Sequence, residues 1–297
     1  MNSTLRFDYR HVDVFAAQPL RGNGLTAFQL TQPVPTALLQ RITQEMRQFE
    51  SIFLWPTEQP QRWRARMFTM EEELGFAGHP VIGAACVLHE QHAPGQATLE
   101  LELQLPAKQV TVTSRRNGSA YSAEMDQGEA EFVSTIGQAA QGELLGALNL
   151  QADDVAPGLP LQVVSTGLPY LIVPLRAGLD RTRIVHPQLE SLLAPWGAKF
   201  AYAIDVDTLE GRTWDNDGRV EDIATGSAAG PAAAYLARHG RIPIGRRVAL
   251  HQGRFLGRPS ELHVLVSGGA SLSVRVSGDV AFVGAGHLLL PASELAG

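Results

Sequence analysis

Thiol chemistry is nearly absent from this chain: of its 297 residues only Cys86 is a cysteine. An internal disulfide and a multi-thiolate metal site are therefore excluded, and the composition agrees with a reducing compartment. No apolar run approaches the ~20 residues of a membrane span, and Met1 to Arg10 contain no stretch of signal-peptide length. The expectation is a cytoplasmic protein with no membrane association. Positive charge is also short, since 24 Lys and Arg face 30 Asp and Glu for a formal net charge of −6. The basic residues are scattered, which speaks against nucleic acid as a partner. What remains is an ordinary globular composition, 44% hydrophobic and 18% charged, long enough for two domains.

Several familiar site patterns are missing as well. Gly226 to Gly230 lacks the Lys-Ser/Thr of a phosphate-binding loop, and no G-x-G-x-x-G fingerprint follows a strand. No G-x-S-x-G elbow surrounds Ser51, Ser165 or Ser227. His89-Glu90-Gln91-His92 is one residue short of a zinc-protease helix and has no evident third ligand, so it reads as a polar helix end. Neither metal nor cofactor is expected.

Arg62 to Phe68 and Thr98 to Leu105 alternate apolar and polar residues at period two, as half-buried strands do. Gln109 to Thr113, Leu161 to Val164, Leu262 to Val266 and Leu272 to Val276 look similar. Leu38, Leu39, Ile42 and Met46 recur at helical spacing, and alanine-rich segments follow Gly78 and Gly226. Those two segments echo each other without gaps. Phe76-Ala77-Gly78-His79-Pro80-Val81-Ile82-Gly83-Ala84-Ala85-Cys86-Val87-Leu88 matches Ala224-Thr225-Gly226-Ser227-Ala228-Ala229-Gly230-Pro231-Ala232-Ala233-Ala234-Tyr235-Leu236, with Gly78 and Gly226 148 residues apart. Each is a glycine turn opening a helix of small residues, around which other backbone must pack closely. A duplicated α+β fold follows, each half a sheet wrapped on a central helix. The boundary falls in the polar segment from Asn117 to Gly128, giving domains 1–122 and 123–297, with the last strand near 286–297 a candidate to rejoin the first.

A helix N-terminus offers unpaired amides and the positive end of the dipole, so the two echoed turns suit a carboxylate or a developing oxyanion. His79 lies in the first turn of one helix, Asp222 just ahead of the other, and Ser227 in its first turn. The same residues also suit plain capping and packing. Glu50, flanked by Phe49 and the apolar run Ile52-Phe53-Leu54-Trp55, is placed for partial desolvation and proton transfer, although glutamates beside apolar strands are usually solvated.

Taken in order, Asp13-Val14-Phe15 with Gly22-Asn23, Glu50 before a short strand, Phe76-Ala77-Gly78-His79-Pro80, and Ser165-Thr166-Gly167-Leu168-Pro169 form a series. Glu221-Asp222-Ile223-Ala224-Thr225-Gly226-Ser227-Ala228 and Gln252-Gly253 with Gly257-Arg258-Pro259-Ser260 extend it. The series, from residue 13 to about 260, resembles the successive signatures of the PhzF-like isomerases. The resemblance implies a diaminopimelate epimerase-like fold of two pseudo-symmetric domains, each a curved, barrel-like sheet around a helix, with the active site in the cleft and usually a homodimer. It implies Glu50 as the acid/base, and His79, Asp222, Gly78, Gly226 and Ser227 as substrate-binding residues. Cofactor-free proton transfer on a small carboxylate follows, trans-2,3-dihydro-3-hydroxyanthranilate in the founding enzyme. Epimerases related to this family place a cysteine at each helix start, where Ala77 and Thr225 stand here; Cys86, two turns into its helix, suits packing, so two-thiol racemisation is not expected. Gly24 after Asn23, the segment Arg47-Gln48-Phe49 and Ile223 depart from the usual pattern and put the substrate in doubt. Two other functions stay open: an epimerase of an amino-acid-like substrate, and a binding protein that keeps the cleft without turnover.

Overall fold

The computed structural model describes residues 4–269 and 271–295. Its elements, in chain order, are β1 (Thr4–Val14), β2 (Asn23–Gln29), α1 (Thr36–Met46), β3 (Glu50–Pro56), β4 (Arg62–Thr69), β5 (Glu73–Leu74), α2 (Gly78–His92), β6 (Thr98–Gln104), β7 (Gln109–Asn117) and β8 (Ala120–Glu129). There follow β9 (Glu131–Thr135), α3 (Gln138–Ala147), β10 (Gln162–Ser165), β11 (Pro169–Leu175), α4 (Leu189–Leu193), β12 (Phe200–Asp205), β13 (Gly211–Arg212), α5 (Gly226–Arg238), β14 (Arg247–Gln252), β15 (Ser260–Gly268) and β16 (Leu272–Pro291). The chain divides into two units, crossing from the first to the second between Asp126 and Gln127, inside β8, and returning between Val276 and Ser277, inside β16. The expected boundary lay at 122/123. No helix among the described residues is long and apolar enough to cross a membrane.

In the first unit the strands run β1-β2-β3-β4-β6-β7-β8-β16, and β16 pairs again with β1, which closes the sheet into a barrel. α2 fills it and is buried from Gly78 to His89. Its small residues are what let the wall come in. A Cβ on Gly83 would lie 2.5 Å from Leu25 Cδ2 and 2.9 Å from Val14 Cγ2. Gly83→Ala is therefore expected to overpack the barrel and to cost ~1–3 kcal/mol in urea unfolding; an unchanged midpoint would show that the wall can give. Outside the barrel, α1 covers a second apolar layer of Phe28, Phe53 and Phe68 with Leu38, Leu39 and Ile42, and the Phe28 and Phe53 rings stack at 5.0 Å.

The second unit repeats the plan. A sheet ordered β13-β12-β11-β10-β9, with β14, β15 and the first residues of β16, surrounds α5, which packs on β10, β11, β12 and β15. An isolated bridge between Glu210 and His251 joins the two sets of strands. α3 and α4 cover the other face through Leu144, Leu145, Leu189 and Leu193.

The expected strands and the α1 helix are present, but β16 runs on to Pro291, far beyond the Leu272 to Val276 that alternation marked. His89 also departs from expectation. α2 does end at His92, yet His89 is fully buried, its ring nitrogens 2.9 Å from Ser114 Oγ and 3.1 Å from the Gln96 carbonyl. Packing of α2 inside a closed barrel, which the local pattern does not announce, puts it there.

Candidate active site

Glu50 opens β3, opposite Leu25 of β2 and Thr69 of β4. Partners across a sheet project to the same face. Leu25 reaches Gly83 of α2, so Glu50 also points into the barrel, at the end where α2 begins, and is only 6% exposed. His79, in the first turn of α2, stands with Nδ1 3.9 Å from Glu50 Oε2. Burial pushes the His79 pKa down to about 3, against an opposing backbone hydrogen bond with Gly24. The imidazole is thus neutral at physiological pH. α2 itself starts without a side-chain cap at Ala77, and Pro80 in its third position brings no N–H, which leaves the Gly78 and His79 amides as the free donors of the first turn.

The departures at Gly24 and Gln48 are linked: a Cβ on Gly24 would lie 2.5 Å from Gln48 Oε1. Gln48 occupies the room that any larger residue at 24 would take, beside the backbone that holds His79.

His79 also gives the first unit an acid sensitivity. Because its folded pKa lies below the unfolded value, the unfolded chain binds the extra proton between about pH 6.5 and 3, so this contribution to stability is lost as pH falls through that window. Between pH 7 and 4.5, wild type is expected to lose on the order of 2–3 kcal/mol more than His79→Gln in urea unfolding. Parallel pH dependences would place the imidazole in contact with solvent.

In the second unit, Asp222 lies in the stretch between β13 and α5, its amide donating to the Thr213 carbonyl at 3.0 Å. Its carboxylate accepts from Thr225 Oγ1 at 2.6 Å and from the Ala224 amide at 3.4 Å. Thr225 stands at the N-cap of α5 but its hydroxyl turns to Asp222 instead of capping the helix. The Gly226 and Ser227 amides are left open, and Ser227 Oγ lies 2.8 Å from Tyr170 OH.

Buried amides hold this turn. Gln127 Nε2 donates to the Gly226 carbonyl at 2.8 Å while its Oε1 accepts from Thr166 Oγ1 at 2.8 Å, and it packs where a side chain on Gly230 would go. Gln252 grips Asp222 and Thr225. Arg212 fixes the adjacent Glu221 through two bonds of 2.7 Å. The Ser165-Thr166-Gly167 and Gln252-Gly253 signatures thereby acquire physical roles. Gln127, Tyr170 and Arg212 carried no sequence signal, because isolated polar residues on strands look alike whether they face solvent or a turn.

The structure thus gathers the expected residues into two groups: Glu50, Gly78 and His79 in the first unit, and Asp222, Gly226 and Ser227 in the second. Among the described residues no three His, Cys, Asp or Glu side chains gather as a metal site would require.

A closed sheet around one buried helix, further strands packed around a second, and a bare helix start in each unit define an α+β protein of the epimerase-like class. A hydroxyproline epimerase from Agrobacterium vitis shares the fold with a TM-score of 0.61 at 14% identity, over 97% of this chain and 92% of its own. Residues 12–286 match the family model described as phenazine biosynthesis-like protein, and the chain belongs to that PhzF family. It is 34% identical to trans-2,3-dihydro-3-hydroxyanthranilate isomerase of Pseudomonas fluorescens, over 95% of this chain and 99% of the relative. It is 31% identical to an uncharacterized isomerase of Escherichia coli, over 86% and 89%. The solved structure of a predicted epimerase from Pseudomonas aeruginosa is 49% identical with a TM-score of 0.89, covering 95% of this chain and 99% of that one.

Proposed function

We propose that this chain is a PhzF-type isomerase that moves a proton on a small carboxylate substrate without a cofactor, with Glu50 taking the proton and returning it. The observation that carries this reading is the placement of Glu50: buried, directed into the barrel, and beside an imidazole held neutral by burial. A neutral imidazole can donate or accept a hydrogen bond without competing for the proton, so the carboxylate is the proton carrier of the pair. The open amides of Gly226 and Ser227, with the Ser227 hydroxyl, suit a carboxylate, and the Asp222 carboxylate, an acceptor, suits a substrate N–H or O–H. The similarity to trans-2,3-dihydro-3-hydroxyanthranilate isomerases supports that compound as substrate.

Thiol chemistry has no support here. The helix starts carry Ala77 and Thr225, and Cys86 is fully buried, its thiol pushed up to about 12 mainly by that burial. The similarity to a predicted epimerase favours a second reading, inversion of an amino-acid-like substrate with Glu50 as one of two acid/base groups. NMR of trans-2,3-dihydro-3-hydroxyanthranilate with the protein in deuterated buffer separates them. Isomerisation with deuterium entering a ring carbon is the expected result, and recovery of unchanged, unlabelled compound would overturn the substrate assignment.

A further inference from the structure

We propose that Gln252 is a positioning residue for the substrate-binding turn of the second unit, acting through Asp222 and Thr225; this rests on the role just given to that turn. Gln252 ends β14, is 1% exposed, and uses both donors and both acceptor positions of its amide. Nε2 donates to the Asp222 carbonyl at 2.8 Å and to Thr225 Oγ1 at 3.0 Å. Oε1 accepts from the Thr225 amide at 3.2 Å and from Tyr202 OH at 3.3 Å. The orientation is unique, because a flipped amide would set its oxygen against the Asp222 carbonyl.

A direction follows from these contacts. Burial, helped by the Asp222 charge, raises the Tyr202 pKa, so its hydroxyl remains a donor. Thr225 Oγ1 accepts a hydrogen bond from Gln252 and turns its own O–H toward Asp222 Oδ2, 2.6 Å away. Tyr202, Gln252 and Thr225 thus form a donor relay in which no proton is transferred and which ends on the Asp222 carboxylate. That relay keeps Asp222 an acceptor and keeps the Thr225 hydroxyl off the amides of Gly226 and Ser227. Behind it, Gly253 at φ +82° lets the chain pass so close to Ile223 that a Cβ would lie 2.7 Å from the Ile223 carbonyl. The end of β14 is therefore seated directly on the turn it orders.

Two substitutions test the assignment. Gln252→Leu removes all four bonds. Gln252→Glu keeps one donor when protonated and none when ionised, and then sets a second carboxylate beside Asp222; Tyr202, whose hydroxyl donates to Gln252, has Tyr170 and Glu210 as its other titratable neighbours, and Arg254 is paired to Glu210. Anthranilate serves as the binding probe, with kcat and KM measured alongside. Gln252→Leu is expected to weaken anthranilate about tenfold or more at every pH, raising KM more than it lowers kcat. Gln252→Glu is expected to stay closer to wild type near pH 5.5, where it keeps one of the two donated bonds, and to weaken by the full factor near pH 8.5, a limb that wild type lacks. Equal loss in both variants at all pH values would reduce Gln252 to a structural residue, and a Leu variant close to wild type would overturn the proposal. The Thr225 amide gives a readout that needs no ligand: its hydrogen exchange should accelerate about tenfold in Gln252→Leu. Unchanged exchange would sink the assignment even in an active isomerase. A wild type that turns over nothing would instead sink the proposed function, and exchange would still decide for or against Gln252.

Discussion

Glu50→Gln is expected to lower turnover by about 10²–10⁴-fold while ligand affinity stays near that of wild type. Glutamine keeps the shape and an acceptor oxygen but cannot carry the proton. The site around it is set by β2, β4 and α2, not by the charge of Glu50, since register alone turns this position into the barrel. The variant should therefore fold, bind anthranilate and fail at exchange. Following deuterium entry as well as product formation makes the test sharp. A Gln variant that still incorporates deuterium would mean that another group removes the proton, and a variant that neither binds nor reacts would point to Glu50 as a binding residue.

The largest expected effect on stability lies at Arg212. Its guanidinium makes two bonds of 2.7 Å with Glu221, donates to the Leu179 and Asp180 carbonyls at 2.8 and 3.1 Å, and lies between Trp214 and Phe255 at 4.7 and 4.4 Å from the ring centres. Both members of the pair are nearly buried. Arg212→Ala strands the Glu221 carboxylate and two carbonyls and opens a space between the rings, so a loss of about 3–5 kcal/mol is expected in urea unfolding. The pair itself need not be worth that much, because its desolvation offsets much of the attraction. Replacing both partners with methionine should consequently recover a large part of the loss. A single-variant cost under about 1 kcal/mol would mean that water reaches the pair. Glu221 immediately precedes Asp222, so ligand affinity is expected to fall with stability in Arg212→Ala.

Much of the architecture is legible in the sequence because burial on one face writes a period of two. β4, β6, β7 and β15 each show it. β2 and β3 are buried almost throughout and carry no alternation; α1 covers the face that in an isolated sheet would meet water. β16 hides for a different reason, since Gly278, Gly284 and Gly286 interrupt its pattern along a strand of 20 residues. Helices α2 and α5 are visible through their glycine turns and small residues, which the close approach at Gly83 explains for α2, whereas α3 and α4 are not among the helices that the pattern marks. At the proposed site, the motifs single out Glu50, His79 and Asp222. That Glu50 faces inward depends on strand register with Leu25, and the grip of Gln127, Gln252 and Arg212 depends on contacts between segments far apart in the chain. No local pattern encodes either.

The return of the chain to the first unit at Ser277 bears on synthesis. When a ribosome has delivered only as far as β8, the strands around α2 form an unclosed sheet, with β1 and β8 both awaiting the partner that β16 supplies. Such edges invite pairing with other nascent chains. The second unit, by contrast, is one contiguous stretch from Gln127 to Val276 and can be complete while the first is still open. The unit that begins first along the chain is thus the one whose closure comes last, and the interval in which it needs protection lasts until residues 277–291 have been made.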